Sequence, residues 1–221
     1  GSDIKYRWRK ISLMNDSNSN NPDGNVIFSG TKEVAENLKF NESGLQEWFG
    51  DSISSAGKIL KIAQFKGGQS NPTYKITTEK QQFVLRRKPP GILLPSAHAV
   101  DREYKVMTAL QQTEVPVPKT YGLCEDEDVI GTPFFVMDFL DGNIYWDLLL
   151  GDKSPAERSD IYASKNNVIA QLHMVDYESV GLSDYGKPGN YIARQVSRWT
   201  KQYVASETQN IPAMNNLIDW L

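Results

Sequence analysis

The 221-residue sequence is poor in the residues from which proteins build disulfides and metal sites. It contains one cysteine, Cys124, and two histidines, His98 and His173. A single cysteine excludes a disulfide framework and a cysteine-built metal site, and two histidines leave little for a zinc site. The sequence therefore predicts no metal ligands within this chain.

An excess of basic residues and a long apolar run are lacking as well. Lys and Arg total 24 against 27 Asp and Glu, so the formal net charge is −3. Nucleic-acid binding needs a basic face, which the short basic stretch at residues 6–10 does not supply. No apolar run approaches the roughly 18 residues of a membrane helix, and no signal-peptide core is visible. These absences predict an intracellular protein, cytoplasmic or, in a eukaryote, organellar, with no nucleic-acid or membrane partner.

The composition that is present is that of a folded globular chain. Hydrophobic residues make up 39% of the sequence, which is enough to bury a core. Gly1-Ser2 has the form of a cloning scar, and residues 15–25 are rich in Asn, Ser and Asp. Composition and pattern divide the chain into three parts. These are a scar and flexible tail over residues 1–40, a lobe of strands over 41–141, and the first part of a helical lobe over 142–221.

Hydrophobic periodicity predicts five strands and one central helix in the first lobe. A shorter helix is predicted from Ser43, and an acidic turn at residues 125–128 is predicted to join the last two strands. The predicted strands are residues 59–65, 73–78, 82–87, 119–124 and 132–140, with the central helix at 97–110.

Helices follow from residue 142 onward. Ser154 is a typical N-cap, Pro155 suits the first helical position, and Glu157 completes a capping box. A later helix is predicted at about residues 192–204. The first of these helices is predicted to bury an apolar stripe made of Ile161, Val168, Leu172 and Val175.

Two charged residues of the first lobe are predicted to pair. Side chains alternate along a strand, so Val84 and Arg86 share one face. Glu103 falls between Val100 and Met107 on the apolar stripe of the next helix, where an unpaired carboxylate is costly. The Arg86 guanidinium offers this carboxylate a two-pronged partner. Two interpretations remain: a structural ion pair, or a cation aimed at phosphates as in kinase nucleotide sites.

A glycine-rich turn, Phe-Lys-Gly-Gly-Gln-Ser-Asn-Pro-Thr at residues 65–73, separates the first two predicted strands. Glycine lets the backbone approach a ligand closely, and backbone N–H groups in such a turn can face an anion. Taken alone, a plain Gly-rich hairpin explains the pattern about as well.

Together, the turn, the strand cation, the helix carboxylate and residues 134–142 resemble the N-lobe and hinge of the protein-kinase-like fold. The sequence is similar to the aminoglycoside phosphotransferase/choline-kinase family. Within that family it most resembles the kinase-like domain of acyl-CoA dehydrogenase family members ten and eleven and related bacterial stand-alone phosphotransferases. The resemblance covers roughly residues 45–221. It is carried by segments 68–73, 83–91, 94–104, 115–118, 129–132, 154–158, 194–203 and 211–214.

The resemblance implies an α+β, protein-kinase-like two-lobe fold whose five-stranded antiparallel N-lobe holds one helix. It implies transfer of the ATP γ-phosphoryl group, with Mg²⁺, to a hydroxyl of a small molecule such as a hydroxyacyl-CoA or a hydroxy acid. The implied nucleotide-binding residues are Gly67, Gly68, Gln69, Ser70, Asn71, Val84, Arg86, Glu103, Met137, Asp138 and Phe139. Arg86 would hold the α- and β-phosphates, Glu103 would orient it, and the backbone of residues 138–139 would meet the adenine.

Acceptor contacts are predicted in the segment from residue 185 to residue 203. An ordinary amphipathic helix and loop is at least as good an explanation of this segment. The candidate acceptor residues are Tyr185, Lys187, Arg194, Arg198 and Trp199.

The sequence departs from the family in the catalytic segment. The family has His-Gly-Asp with an Asn five residues after the Asp, and no such segment occurs in the 221 residues. Residues 172–176 contain His173 and Asp176, but position 181 is Gly, so a structural role is expected for them. His98 is interpreted as a packing or helix-start residue. The resemblance therefore implies a chain truncated before the catalytic loop and inactive alone.

One alternative remains open at this point: a non-catalytic nucleotide-binding or interaction module. The sequence alone also leaves open the acceptor, the oligomeric state and whether an acyl-CoA dehydrogenase domain follows in the parent gene.

Overall fold

The sheet of the first lobe has six strands rather than the five predicted. A computed structural model describes residues 29–67, 70–91, 98–187 and 189–221 of the chain. Neighbouring strands are antiparallel, and their order across the sheet is β1-β2-β3-β4-β6-β5. The strands are β1 Thr31–Lys32, β2 Ile59–Phe65, β3 Thr73–Thr78, β4 Gln82–Arg87, β5 Thr120–Cys124 and β6 Phe134–Asp138.

Strand β3 shows how the alternation of side chains assigns residues to the two faces of the sheet. Along Thr73–Thr78, half-buried and buried residues alternate without exception. Tyr74 and Ile76 are fully buried on one face, while Lys75 lies on the other. Because successive side chains of a strand point to opposite faces, this pattern assigns each residue to the core or to the opposite surface of the sheet.

The core lies between one face of the sheet and helix α1, Glu42–Ser52. Phe49 of α1 is fully buried and meets Phe83 edge-on, with ring centroids 5.4 Å apart. Trp48 makes a similar contact with Phe134 at 4.9 Å. Edge-to-face pairs of this kind contribute about 0.5–1.5 kcal/mol each beyond the area they bury. Aromatic packing therefore fixes α1 on the sheet.

Part of the predicted flexible tail is ordered structure. Thr31 and Lys32 form β1, which pairs with Phe65 and Gln64 at the end of β2. The Tyr74 hydroxyl donates to the Leu38 carbonyl at 3.0 Å. The predicted boundary at residue 40 is thus too late, and residues 1–28 lie outside the described residues. Local composition missed this strand because a two-residue strand has no periodicity of its own.

The helices of the first lobe are α1, α2 at Val100–Leu110 and a short α3 at Glu127–Ile130. α2 packs against β5 and β6, confirming the predicted central helix. The acidic segment predicted as a turn instead leads into α3, with Asp126 as the N-cap and Glu127 and Asp128 in the first turn of the helix. The Asp126 carboxylate caps it by accepting from the Asp128 N–H at 2.9 Å, and Gly131 ends it with φ +87°.

The second lobe consists of α4 Pro155–His173, α5 Tyr191–Ser206 and α6 Pro212–Trp220. The predicted capping box is confirmed: the Glu157 N–H donates to Ser154 Oγ, and the Ser154 N–H donates to a Glu157 carboxylate oxygen. Helix α5 is also confirmed, whereas α6 was not predicted as a helix. Within the described ranges, no helix is long and apolar enough to cross a membrane.

The predicted burial of the α4 stripe is wrong for the described residues. Ile161, Val168 and Val175 are half-buried, and Leu172 is 45% exposed. No fully buried residue lies on α4, and Val175 lies beyond its end. A 3.6-residue pattern reports which side is apolar, and only tertiary packing decides whether that side is covered.

Candidate functional site

The face of the sheet opposite α1 carries three of the residues predicted to bind nucleotide, Val84, Arg86 and Met137, and it is called the cleft face below. The strand register pairs Arg86 with Thr73 and Phe135, and Val84 with Lys75 and Met137. Directly paired residues of neighbouring strands point to the same side of a sheet. The structure therefore brings an apolar patch and a cation together on the cleft face. The residues concerned are Thr73, Lys75, Val84, Arg86, Phe135 and Met137.

Arg86 and Glu103 form the ion pair that the sequence predicted. Arg86 Nε donates to one Glu103 carboxylate oxygen at 2.5 Å, and Arg86 Nη2 donates to the other at 3.3 Å. The side chains are 27% and 37% exposed, respectively. Arg86 Nη1 also donates to the Thr73 hydroxyl at 3.2 Å. The two-pronged geometry fixes the plane of the guanidinium, while its exposure leaves the cation open to an anion.

Asn71 joins the ion pair to the end of the glycine-rich turn. Its side-chain Nδ2 donates to Glu103 Oε1 at 2.9 Å, and its Oδ1 lies 2.8 Å from His98 Nδ1. The Thr73 hydroxyl donates to the Asn71 backbone carbonyl at 3.0 Å. Asn71 is only 3% exposed, so its side chain contacts neighbouring protein groups rather than open solvent. The predicted contact of Asn71 with nucleotide stays a prediction.

The sequence did not indicate that the His98 side chain belongs to the site. As predicted, it stands at the start of α2: its backbone carbonyl accepts from the Val100 N–H at 2.9 Å. Its backbone has φ +59°, the left-handed region that residues other than glycine rarely adopt. Its ring reaches Asn71, 27 residues earlier in the chain. No local pattern signals such a contact.

At the hinge, the backbone N–H of Asp138 is already committed. It donates to the Lys119 carbonyl at 2.8 Å, and the Tyr121 hydroxyl donates to the Asp138 carboxylate at 2.6 Å. Burial and the hydrogen bond to Asp138 raise the pKa of Tyr121 above its ordinary value. The Asp138 side chain thus serves β5, and the backbone at Phe139 becomes the better candidate for a base contact.

Phe139 lies in an aromatic and cationic cluster that the sequence did not predict. Its ring stacks on Phe65, with centroids 6.3 Å apart and planes 19° apart. Lys75 Nζ lies 3.9 Å from the Phe139 ring centroid. Phe65 ends β2 just before the glycine-rich turn, so this cluster joins the turn to the hinge. Alternation of β3 placed Lys75 on the cleft face, and that was the available signal.

The glycine-rich turn itself is described only in part. Gly67 is half-buried and Ser70 is exposed. Gly68 and Gln69, both predicted to bind nucleotide, lie outside the described residues. Their predicted role stays a prediction.

The five predicted acceptor residues lie in three different parts of the structure. Arg102 of α2 donates to the Tyr185 carbonyl at 2.9 Å and lies over the Tyr185 ring at 4.0 Å. Arg194 donates to the Lys187 carbonyl at 2.7 Å. Arg198 is exposed, and Trp199 is 63% exposed and lines an apolar groove of about 290 Å³ between α5 and α6. Tyr185 therefore belongs to a contact between the lobes.

The two residues considered as a disguised catalytic loop have local contacts. His173 ends α4 and is exposed. The Asp176 carboxylate accepts from the Glu178 N–H at 3.0 Å and the Ser179 N–H at 3.4 Å. Such a carboxylate stabilises a turn, in agreement with the expected structural role.

Metal ligands are a separate question from phosphate binding. In the described part of the chain, no three His, Cys, Asp or Glu side chains converge in a way that could hold a metal ion. The described residues therefore do not fit a Mg²⁺ site of their own, since Mg²⁺ is usually held through carboxylates together with substrate phosphates.

Comparison with known proteins gives one consistent result. The profile of the phosphotransferase enzyme family matches residues 61–221. Acyl-CoA dehydrogenase family member 10 of Mus musculus is 45% identical over 193 residues, which are 86% of this chain and 18% of that protein. Family member 11 of Homo sapiens is 45% identical over 200 residues, covering 87% of this chain and 26% of that protein.

A solved structure agrees with these sequence matches. A protein from Ralstonia eutropha JMP134, assigned as an aminoglycoside phosphotransferase, is 50% identical and superposes with a TM-score of 0.70. The match covers 82% of this chain and 53% of that one. The chain thus spans about a fifth to a quarter of the curated relatives' length. Nothing in these matches favours the alternative of a non-catalytic module.

Proposed function

The chain belongs to the phosphotransferase enzyme family, and from that premise we propose that it supplies the nucleotide-binding half of an ATP-dependent small-molecule kinase. The reaction is transfer of the γ-phosphoryl group of ATP to a hydroxyl. The observation that carries this proposal is the two-pronged Arg86–Glu103 pair on the cleft face, beside the apolar side chains of Val84, which is 8% exposed, and the half-buried Met137. A plain structural ion pair does not require an apolar patch next to it.

The phosphate end of the nucleotide belongs at Arg86. Its side chain is 27% exposed, so an anion can reach the guanidinium. Glu103 and Thr73 hold the fork from two sides, which leaves little side-chain entropy to lose when phosphate binds. Gly67 and its neighbours in the turn would close over the phosphates.

The base end belongs between Val84, Met137 and the hinge. Val84 and Met137 are paired across β4 and β6, so they present one apolar surface on the cleft face. The Asp138 N–H is committed to Lys119, so the base contact moves to the backbone of Phe139. Phe65 and Lys75, which touch the Phe139 ring, then border the base pocket.

The chemical step needs groups beyond these. In-line phosphoryl transfer depends on metal ions that bridge the phosphates and on a residue that orients the attacking hydroxyl. The described residues form no metal cluster, and the sequence has no His-Gly-Asp segment. These 221 residues are therefore expected to bind nucleotide weakly and to transfer no phosphoryl group by themselves.

The proposed acceptor is a hydroxyacyl-CoA or a related hydroxy acid. Support comes from relatives that are named acyl-CoA dehydrogenase family members. On this chain, Lys187 and Arg198 supply cations, and the apolar groove at Trp199 supplies a surface for an alkyl chain. Tyr185 is a weaker candidate because its ring and carbonyl already contact Arg102.

Binding of a fluorescent ATP analogue, with competition by unlabelled ATP, tests the nucleotide proposal. Arg86→Met should abolish saturable binding. Arg87→Met is the matched control, since Arg87 is the next residue but is 2% exposed on the core side. Binding that is equal in wild type, Arg86→Met and Arg87→Met, or absent in all three, would refute the proposal.

Transfer is tested with γ-labelled ATP on the 221 residues and on the same residues extended by a segment that carries the family's His-Gly-Asp and the following Asn. Only the longer protein should phosphorylate a hydroxyacyl-CoA, and an aminoglycoside should not be labelled. Turnover by the 221 residues alone, abolished by Asp176→Asn, would show that the structural role assigned to Asp176 is wrong.

A further inference from the structure

We propose that His98 and Asn71 are positioning residues that hold Glu103, and through it Arg86, in the orientation that receives phosphate. The proposal rests on the proposed nucleotide function. It gives a role in positioning to two residues, Asn71 near the end of the glycine-rich turn and His98 at the start of α2. The contacts run in order from His98 to Asn71, from Asn71 to Glu103, and from Glu103 to Arg86.

The chemistry of the carboxylate fixes the direction of every hydrogen bond in this series. An ionised carboxylate accepts only, so the Asn71 amide nitrogen must face Glu103. The amide oxygen of Asn71 must then face His98. The partner atom on His98 is Nδ1, which must carry a proton and donate. The contacts thus select the Nδ1-protonated ring and leave a single orientation of the Asn71 amide.

Burial makes that orientation costly to change. Asn71 is 3% exposed, and a buried amide that loses a partner pays for its desolvation without a compensating bond. Both ends of the amide are satisfied by this arrangement. A flipped amide would place its oxygen against the Glu103 carboxylate and its nitrogen against the donor of His98. The amide therefore transmits the position of His98 to Glu103.

Thr73 closes the arrangement from the side of the sheet. Its hydroxyl donates to the Asn71 backbone carbonyl and accepts from Arg86 Nη1. Asn71 and Arg86 are thus joined twice, once through Glu103 and once through Thr73. Asn71, near the end of the turn that would cover phosphates, and Arg86, the cation that would hold them, are therefore fixed as one unit.

The backbone of His98 points to the same role. A non-glycine residue with φ +59° is uncommon, and residues held in such conformations concentrate at functional sites. His, like Asn and Asp, occupies this region more often than other non-glycine residues do, and here its ring lies against Asn71. The strain is explained if the Nδ1 donor is what the position requires.

Three substitutions separate the donor from the backbone conformation. His98→Asn keeps an N–H near the place of Nδ1 and tolerates the left-handed region. His98→Gly tolerates that region and removes the donor. His98→Ala removes the donor and adds backbone strain. We expect the dissociation constant for the fluorescent ATP analogue to stay within about threefold of wild type in His98→Asn and to rise about tenfold in His98→Gly, the effect of losing one charge-linked hydrogen bond.

A second readout does not depend on nucleotide. Hydrogen exchange of Arg86 Nε–H, followed by ¹⁵N nuclear magnetic resonance, reports the bond to Glu103. Exchange should be slow in wild type and His98→Asn and at least tenfold faster in His98→Gly. Asn71→Asp, which is isosteric but replaces the donor with an acceptor, should also speed exchange, whereas the exposed Asn215→Asp should not.

The outcomes separate this inference from the proposed function. If wild type binds nucleotide and His98→Gly binds it equally well, the positioning role is refuted while the proposed function stands. If wild type binds no nucleotide, the proposed function is refuted, and exchange at Arg86 alone decides the positioning role. Unchanged exchange in His98→Gly refutes it, and faster exchange in His98→Gly but not in His98→Asn supports it. Loss of affinity in all three variants, His98→Asn included, would refute the requirement for the donor.

Discussion

Replacing Glu103 by Ala tests how the cost of breaking the site is divided between its contacts. Glu103 accepts three hydrogen bonds: two from Arg86 and one from Asn71. Sequence reasoning assigns a cost of a few kcal/mol to a buried, unpaired Arg86. In the structure, Arg86 is 27% exposed and keeps its contact with Thr73, so water and Thr73 replace much of what it loses.

The larger share of the cost should fall on Asn71. An ion pair exposed to this extent contributes roughly 0–1 kcal/mol after solvent screening. Asn71 is 3% exposed, and a buried donor left without an acceptor costs about 1–3 kcal/mol. Glu103→Ala should therefore lower the free energy of unfolding by about 2 kcal/mol in total, mostly through an amide that is not part of the ion pair.

Urea denaturation followed by circular dichroism measures this loss, and two double variants apportion it. Adding Asn71→Leu to Glu103→Ala removes the stranded donor at constant shape and should recover more than half of the loss. Adding Arg86→Met instead should recover little. The reasoning is refuted if Glu103→Ala unfolds within about 0.5 kcal/mol of wild type, the range of ordinary surface substitutions. It is also refuted if Arg86→Met recovers the loss and Asn71→Leu does not.

Three further predictions concern charged and phenolic groups away from that network. Arg87→Met should leave the free energy of unfolding within about 1 kcal/mol of wild type or raise it, because the substitution removes a buried cation whose pKa burial lowers. Arg87→Ala should lower the free energy of unfolding by about 2–5 kcal/mol, because it leaves a cavity. Equal losses for the two variants in urea denaturation would contradict this prediction. Burial raises the pKa of Tyr74 and Tyr121 above 10.0, so the stability they contribute is complete below the unfolded-state pKa and is lost as pH rises through the higher folded-state pKa. Phenolate absorbance should show two tyrosines that ionise late, and one fewer in Tyr121→Phe. The hydrogen bond from Lys105 lowers the pKa of Asp184 below 3.8, so Lys105→Met should return that pKa to its ordinary value in a carboxyl ¹³C titration, and no change would show that the pair does not form in solution.

Strand and cap positions followed from the sequence because their causes are local. Runs of strand-forming residues between turn signals located β2 to β6, and Ser154 with Glu157 marked the start of α4. The pairing of Arg86 with Glu103 could also be predicted, since strand parity and an acidic residue on an apolar helix face left few partners. The family could be identified from short segments of the sequence, and its profile matches residues 61–221.

The neighbouring pair Arg86 and Arg87 shows where sequence reasoning stops. Alternation puts them on opposite faces, but it does not say which face is the core. In the structure, Arg87 lies in the core at 2% exposure, with its guanidinium 5.3 Å from the Phe40 ring centroid and a 3.4 Å bond to the Ile130 carbonyl. Those partners are 47 and 43 residues away along the chain, beyond the reach of any local pattern.

The remaining features of the site were decided by tertiary structure for the same reason. Asn71 meets Glu103 across 32 residues, and His98 meets Asn71 across 27. Each contact exists only because β3, β4 and α2 are packed together, and burial then gives a neutral amide more weight than a half-exposed ion pair. The sequence specified which groups carry charge and which strands they occupy. The three-dimensional packing specified which of them are dry, and so which hydrogen bonds hold the site in place.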